Sequence, residues 1–277
     1  MKTFPQSLTA ALALGASVAL PFSTQAAPPC NADLDDNGVV GASDVLHLLA
    51  NWGPCKGCIA DLNGDGTVGA SDILALLADW GPTVFDYSPV LDNTEAEQIA
   101  LEMLGAGGPL RPDFADYERI ITDQALIRVA DKRLADQTHS PVWLANQMIV
   151  QRVEGDPQQD YLCLNEFYQV TLEDHLFSNW YVLTFADGLN IPALTSIYTE
   201  AASVLFAEPN GIIGGQNFWN ATPLGDGIWR WNIDDGWTDC FDGCDCHRVY
   251  IIETDAKGTV EIISINEYGQ PWCEFDD

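Results

Sequence analysis

Two short segments of the chain share one pattern of apolar and polar positions. In each, an acidic and glycine-rich stretch, 33–44 or 61–72, is followed by apolar residues at helical spacing and then by Gly-Pro. Apolar residues that recur with a helical period predict a helix with one apolar face, and Gly-Pro predicts its end. The segments therefore predict two loop-helix units in tandem. Ten apolar positions are predicted to form their small core: Val45, Leu46, Leu48, Leu49 and Trp52, then Ile73, Leu74, Leu76, Leu77 and Trp80.

Beyond Pro82 the pattern is first helical and then alternates between strands and helices. Residues 93–105, with Asn93 or Thr94 as the cap, and residues 112–136 predict two helices. The inward positions predicted for the second are Ile120, Ile121, Leu126, Ile127 and Val129. The next elements are strand 147–153, helix 158–166, strands 167–173 and 180–186, helix 191–202 and strand 203–207. Their order predicts a ferredoxin-like sandwich, and strands at 228–233, 249–254 and 259–265 predict an antiparallel addition.

These elements predict a multidomain protein. A small all-α domain of EF-hand-like loop-helix repeats is followed by an α+β domain with a ferredoxin-like core and an added antiparallel hairpin region. The predicted boundaries are 28–83 for the repeat domain, 84–142 for a linker and helical segment, and 143–277 for the α+β domain.

Residues 1–27 predict a cleavable secretory signal. They contain one Lys, an apolar run from Leu8 to Phe22 and small residues before position 28. This is the composition of a signal peptide. The apolar run is shorter than the roughly 20 residues that cross a membrane, and no later stretch reaches that length. We therefore expect no transmembrane segment and a secreted protein, extracellular or associated with the cell surface.

The charge of the chain narrows the choice of partners. The formal net charge is -30, with 11 Lys and Arg against 41 Asp and Glu. A surface of this sign repels polyanions and attracts cations. We therefore expect no nucleic-acid partner.

The two acidic stretches carry the oxygen spacing of a calcium loop. Carboxylate or amide oxygens stand at loop positions 1, 3, 5 and 12, a backbone carbonyl at position 7, and Gly38 or Gly66 at the turn of position 6. Calcium takes six to eight oxygen ligands from loops of this kind. An Asx-rich turn without metal is the alternative, which the repetition in register disfavours. The spacing predicts two calcium ions, held by Asp33, Asp35, Asn37, Val39 and Asp44, and by Asp61, Asn63, Asp65, Thr67 and Asp72.

Neither loop is preceded by a predicted helix, in contrast to a regular EF-hand. Tandem loop-helix units of this form resemble the type I dockerin module, over about residues 28–83. The resemblance implies a cohesin-like protein partner, contacted mainly through loop positions 10 and 11. Because both units have the same pair at these positions, it also implies two binding orientations related by pseudo-symmetry. The positions hold Ala42, Ser43, Ala70 and Ser71. The sequence departs from the family in its cysteines and in Gly41 and Gly69, which offer no side-chain oxygen at position 9.

Eight cysteines predict disulfides, because an exported chain meets an oxidising environment. The candidates are Cys30, Cys55, Cys58, Cys163, Cys240, Cys244, Cys246 and Cys273. Three lie near the repeats and five beyond them, so either one bridge crosses between the parts or each part keeps a free thiol. Cys55 would pair with Cys30 or Cys58. A bridge from Cys240 to Cys244 is favoured over a zinc site that includes Cys246 and His247.

The stretch "YVLTFADGLNIPALTSIYTEAASVLFAEPNGII" resembles the end of the propeptide of subtilisin-type serine proteases, over about residues 143–213. Such propeptides fold as ferredoxin-like sandwiches and act as chaperones and inhibitors of their protease. About sixty residues follow Ile213, too few for a subtilisin domain. The resemblance therefore implies a free-standing propeptide-like domain.

No catalytic residue is predicted. The expected function is docking of a secreted calcium-binding protein to a cohesin-like partner. The alternatives are an enzyme of extracellular polysaccharide degradation, which dockerins commonly carry, and an inhibitor of a subtilisin-type protease. No carboxylate pair of a glycosidase is identifiable. For Trp229, Trp231 and Trp237, core packing is favoured over a sugar-stacking platform. Five acids, Asp234, Asp235, Asp239, Asp242 and Asp245, predict a solvated hairpin tip or a weak calcium site.

Overall fold

A computed structural model describes residues 32–155, 159–241 and 243–275. The predicted signal segment, Cys30 and Asp242 lie outside these ranges. None of the helices within them is long and apolar enough to cross a membrane.

The predicted fold class is wrong. Over the described ranges the chain is a mixed α/β protein with six α-helices and four small antiparallel sheets. The repeat segment is not all-α, because two of the sheets lie within it. The part beyond it is not a ferredoxin-like domain with an added hairpin, because it holds two separate four-stranded sheets, each with its own hydrophobic core.

The repeat module, residues 32–83, is built from two helices and four very short strands. Each helix is flanked by strands that pair with the other repeat: β1 with β4 and β2 with β3. Strands of two residues have no readable alternation, which is why the sequence did not predict them. The elements are β1 (Val39–Val40), α1 (Ala42–Ala50), β2 (Gly53–Pro54), β3 (Thr67–Val68), α2 (Ala70–Ala78) and β4 (Gly81–Pro82).

Most of the predicted core positions of the module lie at its surface. Leu48 and Leu76 are fully buried, and Val45 and Ile73 pack against them in part. The other six side chains are exposed: Leu46, Leu49, Trp52, Leu74, Leu77 and Trp80. The core is completed instead by residues of the loops and of the strands: Ala32, Leu34, Val40, Ala60 and Val68.

The remaining elements form two sheets joined by helices. The first part contains α3 (Thr94–Leu104), α4 (Phe114–Ala130), a 3-10 turn (Lys132–Leu134), β5 (Trp143–Arg152), α5 (Gln159–Phe167), β6 (Val170–Phe177), β7 (Trp180–Phe185), α6 (Ile191–Tyr198) and β8 (Val204–Gly211). It is followed by β9 (Asn217–Gly225), β10 (Ile228–Trp237), β11 (Cys246–Thr254) and β12 (Val260–Gly269).

One sheet has the order β6-β7-β5-β8, with every neighbouring pair antiparallel. Its core joins side chains of β5 and β7, such as Val150 and Phe185, to Tyr161 of α5 and Tyr198 of α6. The described strands and helices of this part lie close to their predicted positions. Their ends differ by up to four residues; β6, for example, runs on to Phe177.

The second sheet has the order β12-β11-β10-β9 and is covered by helices of the segment that was predicted to be a linker and helical segment. Tyr117 and Ile120 of α4 pack with Trp219 and Trp231 of the sheet, and α3 contributes Ile99. The predicted hairpin addition is therefore a complete sheet with its own helical layer. Its inward helix positions also differ from prediction: Val129 is 86% exposed, whereas Asp123 is fully buried.

Asp131 links the end of α4 to the turn that follows. Its Oδ1 accepts hydrogen bonds from the backbone N–H and Nε of Arg133, and its Oδ2 accepts one from Nη2 at 2.6 Å. The hydrogen bond from the Arg133 side chain lowers the pKa of Asp131 below its ordinary 3.8. The Asp131 carboxylate is buried, whereas the Arg133 side chain is 29% exposed, so solvent screens the interaction in part.

We predict that Asp131→Asn lowers the free energy of unfolding by about 1 to 2 kcal/mol at pH 7, because it removes charge-assisted hydrogen bonds. Since the native pKa is depressed, the stabilisation is fully present above 3.8 and is lost as the pH falls through the native pKa. Urea unfolding at pH 7, 5 and 3 measures this. A difference between the two proteins that stays constant down to pH 3 would contradict the assignment.

Candidate metal centre

The first loop brings three carboxylates together. Asp33, Asp35 and Asp44 each place one oxygen within 4.8 Å of the others. Among the described residues, no other group of three or more His, Cys, Asp or Glu side chains converges in this way. Asp44 is fully buried. The loop therefore has an oxygen-only donor set around one point, the set that hard divalent cations prefer.

Backbone N–H groups hold these carboxylates in place. Asp33 Oδ2 accepts a hydrogen bond from Gly38 N at 2.8 Å. Asp44 accepts from Leu34 N at 2.7 Å and from Gly41 N at 2.7 Å. Asp44 thus joins the start of the loop to the first turn of α1. Gly38 has a φ of 86°, a left-handed conformation in which a side chain would be strained.

The second loop repeats this geometry with one difference. Asp61 Oδ2 accepts from Gly66 N at 2.8 Å, and Asp72 Oδ2 accepts from Gly69 N at 2.8 Å. Position 3 is Asn63, whose amide donates to Asp65 Oδ2 at 3.2 Å. Each loop therefore has three carboxylates at its predicted ligand positions, but the amide stands at position 5 in the first loop and at position 3 in the second. The acids of the second loop do not converge as those of the first do.

The loops retain negative charge at neutral pH. Desolvation by burial would raise the pKa of Asp72, but hydrogen bonds from the backbone N–H groups of Gly69 and Asn63 outweigh it and lower the pKa. Desolvation would also raise the pKa of Asp35, but hydrogen bonds from Ser43 and Asn37 outweigh it, and the pKa of Asp35 is lowered. Ionised carboxylates that lie this close repel one another, and a bound cation would relieve that repulsion.

The positions that the dockerin resemblance assigns to partner contact lie at the start of each helix. Ala42, Ser43, Ala70 and Ser71 are all exposed. In α1, Ala42, Leu46 and Leu49 are spaced by four and three residues, so they share one stripe of the helix. The equivalent stripe of α2 consists of Ala70, Leu74 and Leu77.

Three cysteine pairs are joined as disulfides: Cys55–Cys58, Cys240–Cys244 and Cys246–Cys273. Cys163 is disulfide-bonded as well. The first pair staples the connection between the two repeats. The second confirms the disulfide that was favoured over a zinc site at Cys240 and Cys244. Disulfides are compatible with a secreted protein.

The tryptophans, acids and His247 of the second sheet make contacts that stabilise the fold. Trp229 is 7% exposed and Trp231 is fully buried, so these two pack in the core of the second sheet and form no sugar platform. Nδ1 of His247 lies 2.8 Å from Oδ1 of Asp234, and Nε2 of the same ring lies 2.9 Å from the carbonyl oxygen of Cys244. His247 therefore ties the disulfide loop to the sheet.

Comparison with known proteins adds no relative: no protein-family model, no curated protein and no solved structure matches the chain. Its function is therefore argued from its own residues.

Proposed function

We propose that the chain is a secreted, calcium-binding protein of the dockerin type. Its repeat module docks to a cohesin-like protein module in an extracellular or cell-surface complex. Two calcium ions are bound, one by each loop, through the oxygens named above for positions 1, 3, 5, 7 and 12. When bound, each ion neutralises its carboxylates and fixes the loop relative to the helix that follows.

The observation that carries this proposal is a duplicated apolar surface. Leu46 and Leu74 are each 68% exposed, and Trp52 and Trp80 are each 53% exposed. Along the two helices of the module, Leu48 and Leu76 are the only apolar side chains that are fully buried, so most of the apolar helix surface faces solvent. Contiguous exposed apolar side chains of this kind mark protein contact surfaces.

The duplicated surface consists of two faces, one with Leu46, Leu49 and Trp52 and one with Leu74, Leu77 and Trp80. Their similar exposure supports two modes of docking. Each face presents a small residue and a hydroxyl, then two leucines and a tryptophan, at the same spacing. A partner with one apolar groove can therefore take either face after a half-turn of the module. The two tryptophans supply the kind of anchor that dominates protein interfaces. The four leucines add apolar area that would be buried beside them.

Three variants test this proposal in the full chain. The first carries Leu46→Ser and Leu49→Ser, the second carries Leu74→Ser and Leu77→Ser, and the third carries all four. Val129→Ser, at an exposed valine of α4 outside the module, is the control. The partner is first captured from the exported proteins of the source organism with calcium and released with EDTA.

We expect the first two variants to bind the captured partner within a few-fold of the unaltered chain, because one intact face remains. The third should bind at least about a hundredfold more weakly, since the apolar burial of four leucines is lost together. Calorimetry in calcium measures both. Retention of full affinity by the variant with all four changes would refute docking through these faces.

A further inference from the structure

We infer that each repeat supplies a structural part of the other repeat's calcium loop, so that the two ions bind cooperatively and neither repeat forms a complete site alone. The parts in question are β2 and β4, the two Gly-Pro strands that follow the helices. The inference rests on the calcium binding proposed above and adds how the two loops depend on each other.

The first loop is braced by the end of the second repeat. Val39 pairs with Pro82 and Val40 with Gly81. One residue further on, Thr83 N–H donates to the carbonyl of Gly38 at 3.1 Å. Gly38 is the turn at position 6, and Val39 is position 7. The contact therefore reaches the part of the loop that lies between its first and last carboxylates.

The second loop is braced by the end of the first repeat in the same way. Gly53 pairs with Val68 and Pro54 with Thr67. Here Cys55 N–H donates to the carbonyl of Gly66 at 3.0 Å. Cys55 is also held by its disulfide to Cys58. In both repeats, the residue after the Gly-Pro strand thus donates a hydrogen bond to the carbonyl at the turn of the opposite repeat's loop.

This crosswise arrangement lowers the cost of ion binding. Ordering a backbone residue costs conformational entropy, and a strand that already holds positions 6 to 8 removes part of that cost. It also couples the loops. β4 begins shortly after α2, and α2 carries Asp72, the last ligand of the second loop. An ion in the first loop therefore orders a segment that anchors the second, and the reverse holds through β2 and α1.

A simple tandem repeat makes the opposite prediction. If Gly-Pro only ended its own helix, a change after β4 would weaken the second loop, which belongs to the same repeat. Crosswise bracing predicts that the same change weakens the first loop, about forty residues earlier in the chain. Substitution of Thr83, the residue after β4, therefore distinguishes the two arrangements.

The test compares Thr83→Pro with Thr83→Ala in the full chain. Proline has no amide hydrogen and so removes the bond to Gly38, whereas alanine keeps it and loses only the hydroxyl. Each change is combined with Asp72→Asn, which disables the second loop and leaves the first to be titrated, or with Asp44→Asn, which does the reverse. Calcium binding is measured by calorimetry.

We expect Thr83→Pro to weaken calcium binding by the first loop about tenfold and by the second loop less than about twofold, with Thr83→Ala close to unaltered in both. An equal or larger effect on the second loop, or no effect on either, overturns the inference alone. Absence of calcium uptake by the unaltered chain contradicts the proposed function and the inference with it.

A second measurement covers the case in which Thr83→Pro does not fold, which circular dichroism in saturating calcium would reveal. The unaltered chain should then bind its two ions with positive cooperativity, each ion raising the affinity for the other about fivefold or more. Two independent, non-interacting sites would overturn the inference.

Discussion

Removal of calcium from the full chain is expected to unfold residues 32–83 while both four-stranded sheets stay folded. The module buries few large side chains, and its two loops each hold several carboxylates that repel one another without a cation. At about 1 mM calcium and a dissociation constant of about 10⁻⁵ M, each ion stabilises the folded module by about 2.7 kcal/mol. For a core of this size, two such contributions are a large part of the total.

Hydrogen exchange followed by mass spectrometry measures this effect segment by segment. In EDTA, peptides from the module should exchange fast, whereas peptides from β5, β7, β10 and β11 should stay protected. Added calcium should restore protection. A chain with both Asp44→Asn and Asp72→Asn is the matched control, and it should behave in calcium as the unaltered chain does in EDTA. Equal protection of the module with and without calcium would contradict the assignment of the loops.

The second large effect is expected at Asp123, which is fully buried beneath the second sheet. Its carboxylate accepts hydrogen bonds from Arg119 Nε at 2.8 Å, from Trp231 Nε1 at 3.1 Å and from the Thr254 hydroxyl. One side chain of α4 thus satisfies donors from β10 and β11. We predict that Asp123→Ala lowers the free energy of unfolding by about 3 to 5 kcal/mol, because it leaves a partly buried cation and two donors without their acceptor.

Two controls separate this mechanism from a general loss of stability. Asp123→Asn keeps one acceptor oxygen and should cost less, about 1 to 3 kcal/mol. Asp116→Ala, an exposed acid on the same helix, should change stability by less than about 0.5 kcal/mol. Urea unfolding at pH 7 measures all three. If the Asp123→Ala and Asp116→Ala variants were equally stable, the hydrogen bonds accepted by Asp123 would make no measurable contribution to stability.

The sequence predicted the helices better than the sheets. The first turn of α3 is an example, since Asn93 caps it by accepting a hydrogen bond from Ala96 N at 3.0 Å. Capping and helical periodicity are local properties, so a single sequence carries them. β9 was missed because Asn, Pro and Gly interrupt its alternation, although Trp219 and Ala221 both point into the core.

Burial was predicted less well, because it depends on what an element packs against. Leu46 and Leu48 are both leucines of α1, yet one is 68% exposed and the other fully buried. The face taken up by Asp44 and Leu48 is set by the loop, which draws Asp44 inward through its backbone hydrogen bonds. In α4, Asp123 occupies an inward position because donors from two strands meet it there. Neither fact is visible in a hydropathy pattern.

For the candidate site, the sequence indicated which carboxylates lie together in the first loop, but not the strands that hold the two loops in place. Alternating acids and a central glycine predicted loops whose carboxylates face inward, and in the first loop three of them converge. The strands that hold the loops escaped prediction, because their partners lie in the other repeat and the pairing involves only backbone atoms. Pairing of this kind leaves almost no trace in side-chain composition.

The exchange of short strands between the repeats also limits how such a module can be shortened or divided. A single unit would have a loop that lacks the Gly-Pro strand it pairs with, and a Gly-Pro strand that lacks the loop it supports. Two separate polypeptides, each with a single unit, would satisfy both needs by associating, in the manner of a domain-swapped dimer. The tandem chain makes that association intramolecular, so its assembly does not depend on protein concentration.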